Sequence, residues 1–332
     1  MDSPTVLQLC YTLPDLLAAF PWPRNLSEYY HECKAESTAW TESFKPFDEE
    51  GIKRFNKGDF SLLAAHVYSP REKELIRLGC DLMNLFYVFD EYTDIADDTS
   101  QAERIRAVLL DAVKNPHKES PADEIPLGAM AQDFWKRASG YASPGAHCMK
   151  HFIDYLETYT AAITSLAVAT TLVASPASHF VNSDSSCLRR QYHHPRMAAL
   201  RQQATELVAV TNDIYSYAIE KVRGLEINNS VEMVMAERNA DVQGAMNWLG
   251  QFIASTRVPF LDNAANMPYW GDGVDGRVKI YINSLAQWVR GNDDWAFEGG
   301  RYFGKKGPEI QRSRIMTLEF VAGSKDCAKR PA

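Results

Sequence analysis

The chain has 332 residues, of which 45% are hydrophobic and 23% are charged, and this composition is typical of a globular protein with a sizeable core. Its formal net charge of -8 and pI near 5.6 argue against a partner made of nucleic-acid phosphates or anionic lipid. The six cysteines are scattered without CxxC pairs, so they indicate reduced thiols and neither a disulfide framework nor a zinc site.

The first seventy residues contain six prolines and little sustained periodicity. At the start, MDSPTVLQLCYTLPDLLAAFPWP carries Asp2 where a secretory signal would carry Lys or Arg, and Pro14 interrupts its apolar stretch. No apolar run in the sequence approaches the length that a bilayer needs. We therefore expect a cytoplasmic protein without a membrane span, in which residues 1–70 form a segment with short helices that wraps a larger body.

Helical periodicity dominates the rest of the sequence. From Glu72 to Phe89, the stretch EKELIRLGCDLMNLFYVF is too apolar all round for a surface helix and predicts a buried one. Further helices are predicted at residues 101–113, 129–139, 145–170, 196–222, 230–249, 278–290 and 295–302. Strand-like alternation is scarce, so the predicted class is all-α, with residues 1–332 in one domain.

An acidic run, FDEYTDIADD at residues 89–98, follows the predicted buried helix directly. If the helix continues, Asp90 and Asp94 lie four residues apart on one face, with Glu91 beside them. Two carboxylates on one face repel each other unless a cation lies between them, and oxygen donors of this kind suit Mg²⁺. A calcium-binding loop fits less well, because Ile95 stands where such a loop needs glycine. Taken alone, the run is also typical of a solvated helix end.

A second polar stripe occurs in TNDIYSYAIEK, residues 211–221. Asn212, Ser216 and Glu220 recur at four-residue steps, so an amide, a hydroxyl and a carboxylate line one face of a helix. The remaining residues of this helix are largely apolar, which indicates that the polar stripe points inward and is not a solvated face. The sequence therefore predicts a second all-oxygen metal site opposite the first.

The chain resembles the fungal class I sesquiterpene synthases through three motifs in the family's order. DEYTD at 90–94 is similar to their aspartate-rich motif, NDIYSYAIE at 212–220 to their NSE motif, and Arg301-Tyr302 in WAFEGGRYFGKKG to their terminal RY dyad. PWPRN, CDLMNLFYVFDEYTD and DVQGAMNW are most similar to the basidiomycete protoilludene-synthase-like group. The resemblance implies a class I terpenoid synthase (isoprenoid synthase) helical bundle around a central cavity, farnesyl diphosphate as substrate and three Mg²⁺ ions.

The resemblance also implies roles for particular residues. The metal ligands would be Asp90, Asp94, Asn212, Ser216 and Glu220. Arg301 and Tyr302 would hydrogen-bond the diphosphate once the C-terminal segment closes over it. An allylic cation must be kept from water in an aromatic pocket. Phe86, one turn before the aspartate-rich motif, is placed to face that pocket, although ordinary core packing explains it equally well.

The resemblance weakens at about residues 165–196, a segment that is diverged or shortened relative to the family. Family members carry an arginine that binds the diphosphate, and CLRRQYHHPRM offers Arg189 and Arg190 for this role. They precede Asn212 by 22 to 23 residues, which is closer than in the family pattern. One guanidinium would reach the site if the polar segment 176–195 folds back, and otherwise this segment is a solvated loop.

Three functional hypotheses follow. The first is a sesquiterpene cyclase that releases diphosphate and forms a hydrocarbon, with a protoilludene-type product of 1,11-cyclisation as one candidate. The second, a prenyl-chain-elongating transferase, is disfavoured because the second motif is NDxxSxxxE instead of another aspartate-rich motif. The third is a non-catalytic or weakly active truncated paralogue. The expected partner is a small isoprenoid diphosphate, with no nucleic acid, for a monomer or a homodimer.

Overall fold

The computed structural model describes residues 6–69, 71–121, 123–141, 147–164, 189–226 and 229–321. In chain order the elements are β1 (Val6–Thr12), α1 (Tyr30–Ser43), α2 (Glu49–Lys57), α3 (Phe60–Val67), α4 (Lys73–Asp94), α5 (Thr99–Lys114), α6 (Pro126–Ser139), α7 (His147–Thr164), α8 (Arg189–Tyr192), α9 (Pro195–Arg223), α10 (Ser230–Arg238), α11 (Val242–Ala265), α12 (Asp272–Glu298), a 3₁₀ turn (Gly304–Lys306), α13 (Gly307–Ser313) and β2 (Ile315–Val321). The class is all-α, as predicted, with one short two-stranded ribbon. Among the described helices, none combines the length and apolarity needed to cross a bilayer.

Helix α4 is the central element of the first half of the chain. It packs against α1, α3, α5, α6 and α7. Nearly all its side chains from Ile76 to Phe89 are buried, which confirms the predicted buried helix. The helix runs on to Asp94 without a break, so Asp90 and Asp94 extend from a rigid, buried element instead of a loop.

A buried ionic cluster ties α4 to its neighbours. The carboxylate of Asp81, which has 0% exposure, accepts a hydrogen bond from Ser37 Oγ of α1 at 2.6 Å. It also pairs with Arg77 at 3.0 Å and with Arg137 of α6 at 2.6 Å. Burial raises the pKa of Asp81, while the two arginines and the serine hydroxyl favour its ionised form. These contacts fix α1, α4 and α6 relative to one another. The cluster lies more than two helical turns before Asp90.

Helices α9, α11 and α12 form the second half of the bundle. Helix α9 packs on both α11 and α12, and α12 also packs on α3. The predicted helix at 230–249 is wrong as a single element. Asn239 has a left-handed backbone with φ of 49° and ends α10, and the Asp241 side chain caps α11 by accepting from the Gly244 N–H.

The predicted separate helices at 278–290 and 295–302 are also wrong, because α12 is continuous to Glu298. The polar residues between them are helical and buried. Asp294 is 1% exposed and pairs with Arg290, one turn earlier, at 2.9 Å. An intrahelical ion pair thus lets a polar stretch that resembles a break remain inside the helix.

The sequence did not predict the ribbon that joins the two ends of the described chain. Strand β1 pairs antiparallel with β2, in a register that places Thr12 opposite Ile315. Just beyond the ladder, the Leu13 N–H donates to the Arg314 carbonyl at 2.7 Å. Each strand has seven residues, an ordinary length, but the two strands lie at opposite ends of the described chain, so no local turn signal indicates that they pair.

The segment between β1 and α1 lies on α12. The Arg24 guanidinium makes two hydrogen bonds to Glu298, at 2.5 and 2.8 Å. The Trp22 indole N–H donates to Asn283 Oδ1 at 3.1 Å. These contacts attach the N-terminal segment to the helix that leads into Arg301 and Tyr302.

Candidate active site

The acidic end of α4 is paired with one arginine from the C-terminal segment. Arg301 lies 3.5 Å from Asp90 and 3.3 Å from Glu91. The Asp90 side chain is three-quarters buried, with 25% exposure. Burial and the charge of Asp94 raise the pKa of Asp90, and burial together with the charge of Glu91 raises the pKa of Asp94. Arg301 and Arg223 lower the pKa of Asp94, so this end of α4 is a group of buried carboxyls whose ionisation depends on nearby positive charge.

An aromatic platform holds the Arg301 guanidinium in place. The guanidinium lies 4.9 Å from the centre of the Tyr87 ring and 5.4 Å from that of Phe60. These two rings are stacked on each other at 3.7 Å. Burial lowers the pKa of Arg301, but the negative charges of Asp90 and Glu91 raise it, and the net pKa lies above its ordinary value, so the side chain stays charged. Sequence reasoning did not identify Tyr87 or Phe60 as part of this site.

Tyr302 connects the same segment to helix α9. Its hydroxyl oxygen accepts a hydrogen bond from Asn212 Nδ2 at 2.7 Å. Its ring packs edge-on against the ring of Trp295, with 5.4 Å between centroids. The Trp295 indole N–H donates to the carbonyl oxygens of Gly58 and Asp59. Burial raises the pKa of Tyr302 to about 12, so the hydroxyl stays protonated and can donate to a ligand.

Two glycines in GGRYFGKKG allow the dyad to lie this close to the bundle. A Cβ at Gly300 would overlap the carbonyl oxygen of Lys57 at the end of α2. A Cβ at Gly307 would overlap the carbonyl oxygen of Phe297. Only glycine permits both close backbone approaches. Packing on either side of Arg301 and Tyr302 therefore requires glycines in this motif, in addition to the role of the dyad itself.

The second predicted stripe lies on α9, opposite the acidic run. Ser216 is buried, and Asn212 and Glu220 are half-buried on the same helix. The negative charge of Glu220 contributes to the raised pKa of both Asp90 and Asp94. The structure thus brings together, around Arg301 and Tyr302, the two sets of oxygen ligands that were predicted from widely separated motifs.

A turn after α9 contributes two further residues that sequence reasoning missed. Asn229 Nδ2 donates to Glu220 Oε2 at 2.9 Å and lies 3.4 Å from Ser216 Oγ. The Ser230 N–H donates to the Asp213 carboxylate at 3.1 Å, and its hydroxyl donates to the same oxygen. Burial raises the pKa of Asp213 to about 6. The sequence signal was present, because Asn-Ser before an apolar run is typical of a helix N-cap.

Aromatic side chains lie beside the acidic run. Phe86 is buried, and its ring lies 5.2 Å from that of Tyr159 on α7. The Tyr155 and Tyr159 rings are nearly parallel, at an interplanar angle of 3°. Burial raises the pKa of Tyr159 well above its usual value, and the charge of Asp90 raises it further. Phe86 thus belongs to an aromatic group close to the carboxylates, in a position compatible with both predicted roles.

Arg190, the described member of the predicted arginine pair, does not join this site. Arg190 lies in α8 and is exposed, and no described hydrogen bond or ion pair links it to Asp90 or Asn212. Arg201 donates to the Tyr192 carbonyl at 2.8 Å, which holds α8 against the first turns of α9. Asn212 follows the start of α9 by roughly 25 Å along the helix axis, too far for a guanidinium in α8 to span. The side chain of Arg189 and most of segment 176–195 lie outside the described residues.

The donor set fits Mg²⁺ in its chemistry. The predicted ligands are all oxygen donors: Asp90, Asp94, Asn212, Ser216 and Glu220. Asn212 uses its amide nitrogen on Tyr302, so its carbonyl oxygen remains for a cation. Among the described residues, no group of three or more His, Cys, Asp or Glu side chains is arranged to hold a metal ion by itself. Oxygen donors of this kind suit Mg²⁺, which keeps several waters and takes further oxygens from substrate phosphates.

Known terpene synthases match the sequence over most of its length. The family model described as terpene synthase family 2, C-terminal metal binding, matches residues 81–171 and 187–257. The chain is 58% identical to sesquiterpene synthase Agr9 of Cyclocybe aegerita over 331 residues, which cover 95% of this chain and 89% of that protein. It is 36% identical to a delta(6)-protoilludene synthase of Armillaria gallica, with 92% and 93% of the two chains covered.

Solved structures give the same fold at lower identity. An α-eudesmol synthase has a TM-score of 0.70 at 16% identity and covers 84% of this chain and 98% of its own. Wild-type cucumene synthase has a TM-score of 0.67 at 18% identity, with 84% and 99% covered. Together with the matching family model and the relatives at higher identity, these likenesses lead to one conclusion. The chain belongs to the basidiomycete sesquiterpene synthases.

Proposed function

We propose that this protein is a Mg²⁺-dependent sesquiterpene synthase that ionises farnesyl diphosphate, cyclises the resulting cation and releases diphosphate. The observation that carries the proposal is the meeting of two oxygen stripes at one dyad: Arg301 contacts Asp90, and Tyr302 contacts Asn212. The relatives named sesquiterpene synthases support the substrate class. The protoilludene synthases among them favour 1,11-cyclisation to a protoilludene-type hydrocarbon as the first product to look for.

We assign the metal-binding role to the residues of the two stripes. Asp90 and Asp94 would hold ions from the α4 side, and Asn212, Ser216 and Glu220 from the α9 side. Bound Mg²⁺, three ions by family resemblance, supplies Lewis-acid stabilisation of the leaving diphosphate. Because the pKa values of Asp90 and Asp94 are raised, ionising both carboxyls is unfavourable without a cation. A bound cation would stabilise the ionised carboxylates.

We assign the diphosphate contact to Arg301 and Tyr302 in preference to Arg189 or Arg190. Arg301 presents a planar fork of N–H donors that matches phosphate oxygens, and the rings of Tyr87 and Phe60 fix its plane. The protonated hydroxyl of Tyr302 is a second donor at the same place. Fixed donors aimed at oxygens that gain charge stabilise the departure of the leaving group.

The aromatic group of Phe86 and Tyr159 is suited to the carbocation that remains. Ring faces attract positive charge, and the buried position of both residues excludes water that would capture the cation. No nucleophilic side chain is needed for this chemistry. We propose that residues 1–332 act as one domain with a small-molecule partner, in the cytoplasm, as a monomer or a homodimer.

One observation favours the non-catalytic alternative. Arg190 is exposed, and no described hydrogen bond or ion pair joins it to the oxygen stripes, so Arg190 does not supply the arginine contact that the family resemblance implies. The chain-elongating alternative gains no such support, because the α9 stripe contains one carboxylate, Glu220, and not an aspartate-rich cluster.

Incubation with farnesyl diphosphate and Mg²⁺, followed by gas chromatography with mass spectrometry, tests the proposal. We expect cyclic C15 hydrocarbons that disappear in EDTA and with the Glu220→Gln variant. Farnesol alone, at the rate of the buffer control, would contradict cyclisation and favour the non-catalytic paralogue. Longer prenyl diphosphates formed after addition of isopentenyl diphosphate would favour chain elongation instead.

A further inference from the structure

Asn229 joins the α9 stripe to the start of α10 through one buried amide, which is 2% exposed. Its Oδ1 accepts from the Val231 N–H at 2.9 Å, as a capping side chain does. Its Nδ2 lies 2.9 Å from Glu220 Oε2, 2.9 Å from the Asp213 carbonyl oxygen and 3.4 Å from Ser216 Oγ. One uncharged side chain therefore contacts two of the proposed metal ligands.

The orientation of this amide is fixed by the cap. Rotating the Asn229 amide by half a turn would place Oδ1 against the Glu220 carboxylate and remove the acceptor of the Val231 N–H. A lysine at this place would neutralise Glu220 and compete with a cation. An asparagine donates to the carboxylate and leaves its negative charge available.

The contacts of Asn229 leave oxygen lone pairs of Glu220 and Ser216 available to bind a cation. A carboxylate has two oxygens, and Asn229 engages Oε2 of Glu220, so Oε1 remains for a cation. The Ser216 hydroxyl oxygen has a second lone pair besides the one that faces Asn229. Carboxylates that bind metals are themselves commonly hydrogen-bonded, and loss of such a partner weakens metal binding by about 10- to 100-fold.

We propose that Asn229 is the positioning residue of the α9 metal stripe: it fixes the rotamers of Glu220 and Ser216 before Mg²⁺ and diphosphate bind. This inference rests on the proposed function of that stripe. The turn has a second, independent attachment, because the Ser230 N–H and hydroxyl both donate to Asp213. Removing the Asn229 amide should therefore leave the turn in place.

The test is Asn229→Ser, which keeps a capping hydroxyl but is too short to reach Glu220. Calorimetric titration of the purified full chain with Mg²⁺ in the presence of inorganic diphosphate gives the apparent affinity without any turnover. We expect affinity weaker by about 10- to 100-fold, with a melting temperature in EDTA close to that of the native chain. Asn229→Gly, which also caps a helix acceptably, should give the same result and serves if the serine variant folds poorly.

Asp241→Ser is the matched control, because Asp241 caps α11 through the Gly244 N–H at 2.7 Å and is separate from the stripe. It should retain native Mg²⁺ affinity, while Glu220→Gln should lose it. Native affinity in both Asn229 variants would overturn the positioning role and leave the proposed function standing. If the native chain itself shows no Mg²⁺-dependent binding of diphosphate, both the role and the proposed function fail.

Discussion

Asn212 and Tyr302 are 90 residues apart in the sequence and are joined by a hydrogen bond of 2.7 Å. The residue before Tyr302, Arg301, contacts Asp90 at 3.5 Å. Two consecutive residues of the C-terminal segment therefore contact both oxygen stripes at once. A substitution in either stripe should therefore alter the side-chain positions of the other stripe through Arg301 and Tyr302.

Glu220→Gln should reduce turnover of farnesyl diphosphate by more than about 100-fold, because loss of a ligand should exceed the effect of losing a ligand's hydrogen-bond partner. The fold should persist, since glutamine can still accept from Asn229. Steady-state kinetics and thermal unfolding check this. Glu206→Gln, at a half-buried position on the same helix, is the control and should keep native turnover. Parental activity in the Glu220 variant would remove this residue from the metal site.

Arg301→Lys should lower turnover by roughly tenfold or more and broaden the product mixture. Lysine is a point charge that cannot keep both carboxylate contacts and the stacked position over Tyr87, and each lost charged hydrogen bond is worth about 1.5–3 kcal/mol. Product profiles by gas chromatography measure both effects. Arg312→Lys, at an exposed position of α13, should change neither quantity. An unaltered product profile in the Arg301 variant would speak against a role in closure.

Removing metal should make stability pH-dependent through Asp90. Burial and Asp94 raise the pKa of Asp90 above its ordinary value of 3.8, so its protonated form stabilises the fold. That contribution is full below about pH 3.8 and is lost as the pH rises through the raised pKa. In EDTA, the melting temperature should decline over this window less steeply for Asp90→Asn than for the native chain. Equal slopes would show that Asp90 is not the titrating group.

Saturating Mg²⁺ and diphosphate should oppose this decline, because a cation stabilises the ionised carboxylates. The thermal shift produced by the ligands should therefore grow as the pH rises. Thermal unfolding with and without the ligands measures the difference at each pH. A shift independent of pH would indicate that the ligands bind away from Asp90 and Asp94.

Gly300→Ala should displace the dyad, because its Cβ would overlap the Lys57 carbonyl oxygen. We expect lower stability and at least about tenfold lower turnover, since small misplacements of catalytic groups reduce rates strongly. Gly273→Ala in α12 is the control, because its Cβ has open space and alanine favours the helix. Native behaviour of the Gly300 variant would mean that the segment after α12 adjusts freely.

Asp81→Ala should destabilise the protein by about 3 kcal/mol, because it leaves Arg77 and Arg137 without their buried partner. Denaturant unfolding measures this loss. Turnover per folded molecule should remain near the native value, since Asp81 lies more than two helical turns from Asp90. A selective loss of turnover at native stability would instead connect this ionic cluster to the site.

Much of the fold could be predicted because the spacing of apolar residues indicates which faces of a helix are buried. The central helix α4 and the stripe on α9 follow from periodicity within single segments. Helix ends were less predictable, because they depend on single interactions. Asn239 divides a predicted helix through its backbone conformation, and the Arg290–Asp294 pair continues α12 through a polar stretch.

From the sequence, only the residues of the three motifs could be predicted as parts of the site. Spacing identified which oxygens share a face, but contacts between distant segments leave no periodic signal. The platform of Phe60 and Tyr87 under Arg301 is of this kind. Asn229 carried a capping signal, but nothing in the sequence indicated that its amide nitrogen faces Glu220. The position of α8, which takes Arg190 away from the site, likewise depends on tertiary packing.

The β1–β2 ribbon has a consequence for biosynthesis. Thr12 pairs with Ile315, roughly 300 residues later, so β1 lacks its partner strand until nearly all of the described chain has been synthesised. At translation rates of about 5–20 residues per second, this delay is roughly 15–60 seconds. The nascent bundle can assemble α4 and its neighbours during that time, while its first strand stays available to chaperones. Completion of the ribbon is therefore a late event, and slower translation would prolong the interval in which β1 can pair wrongly.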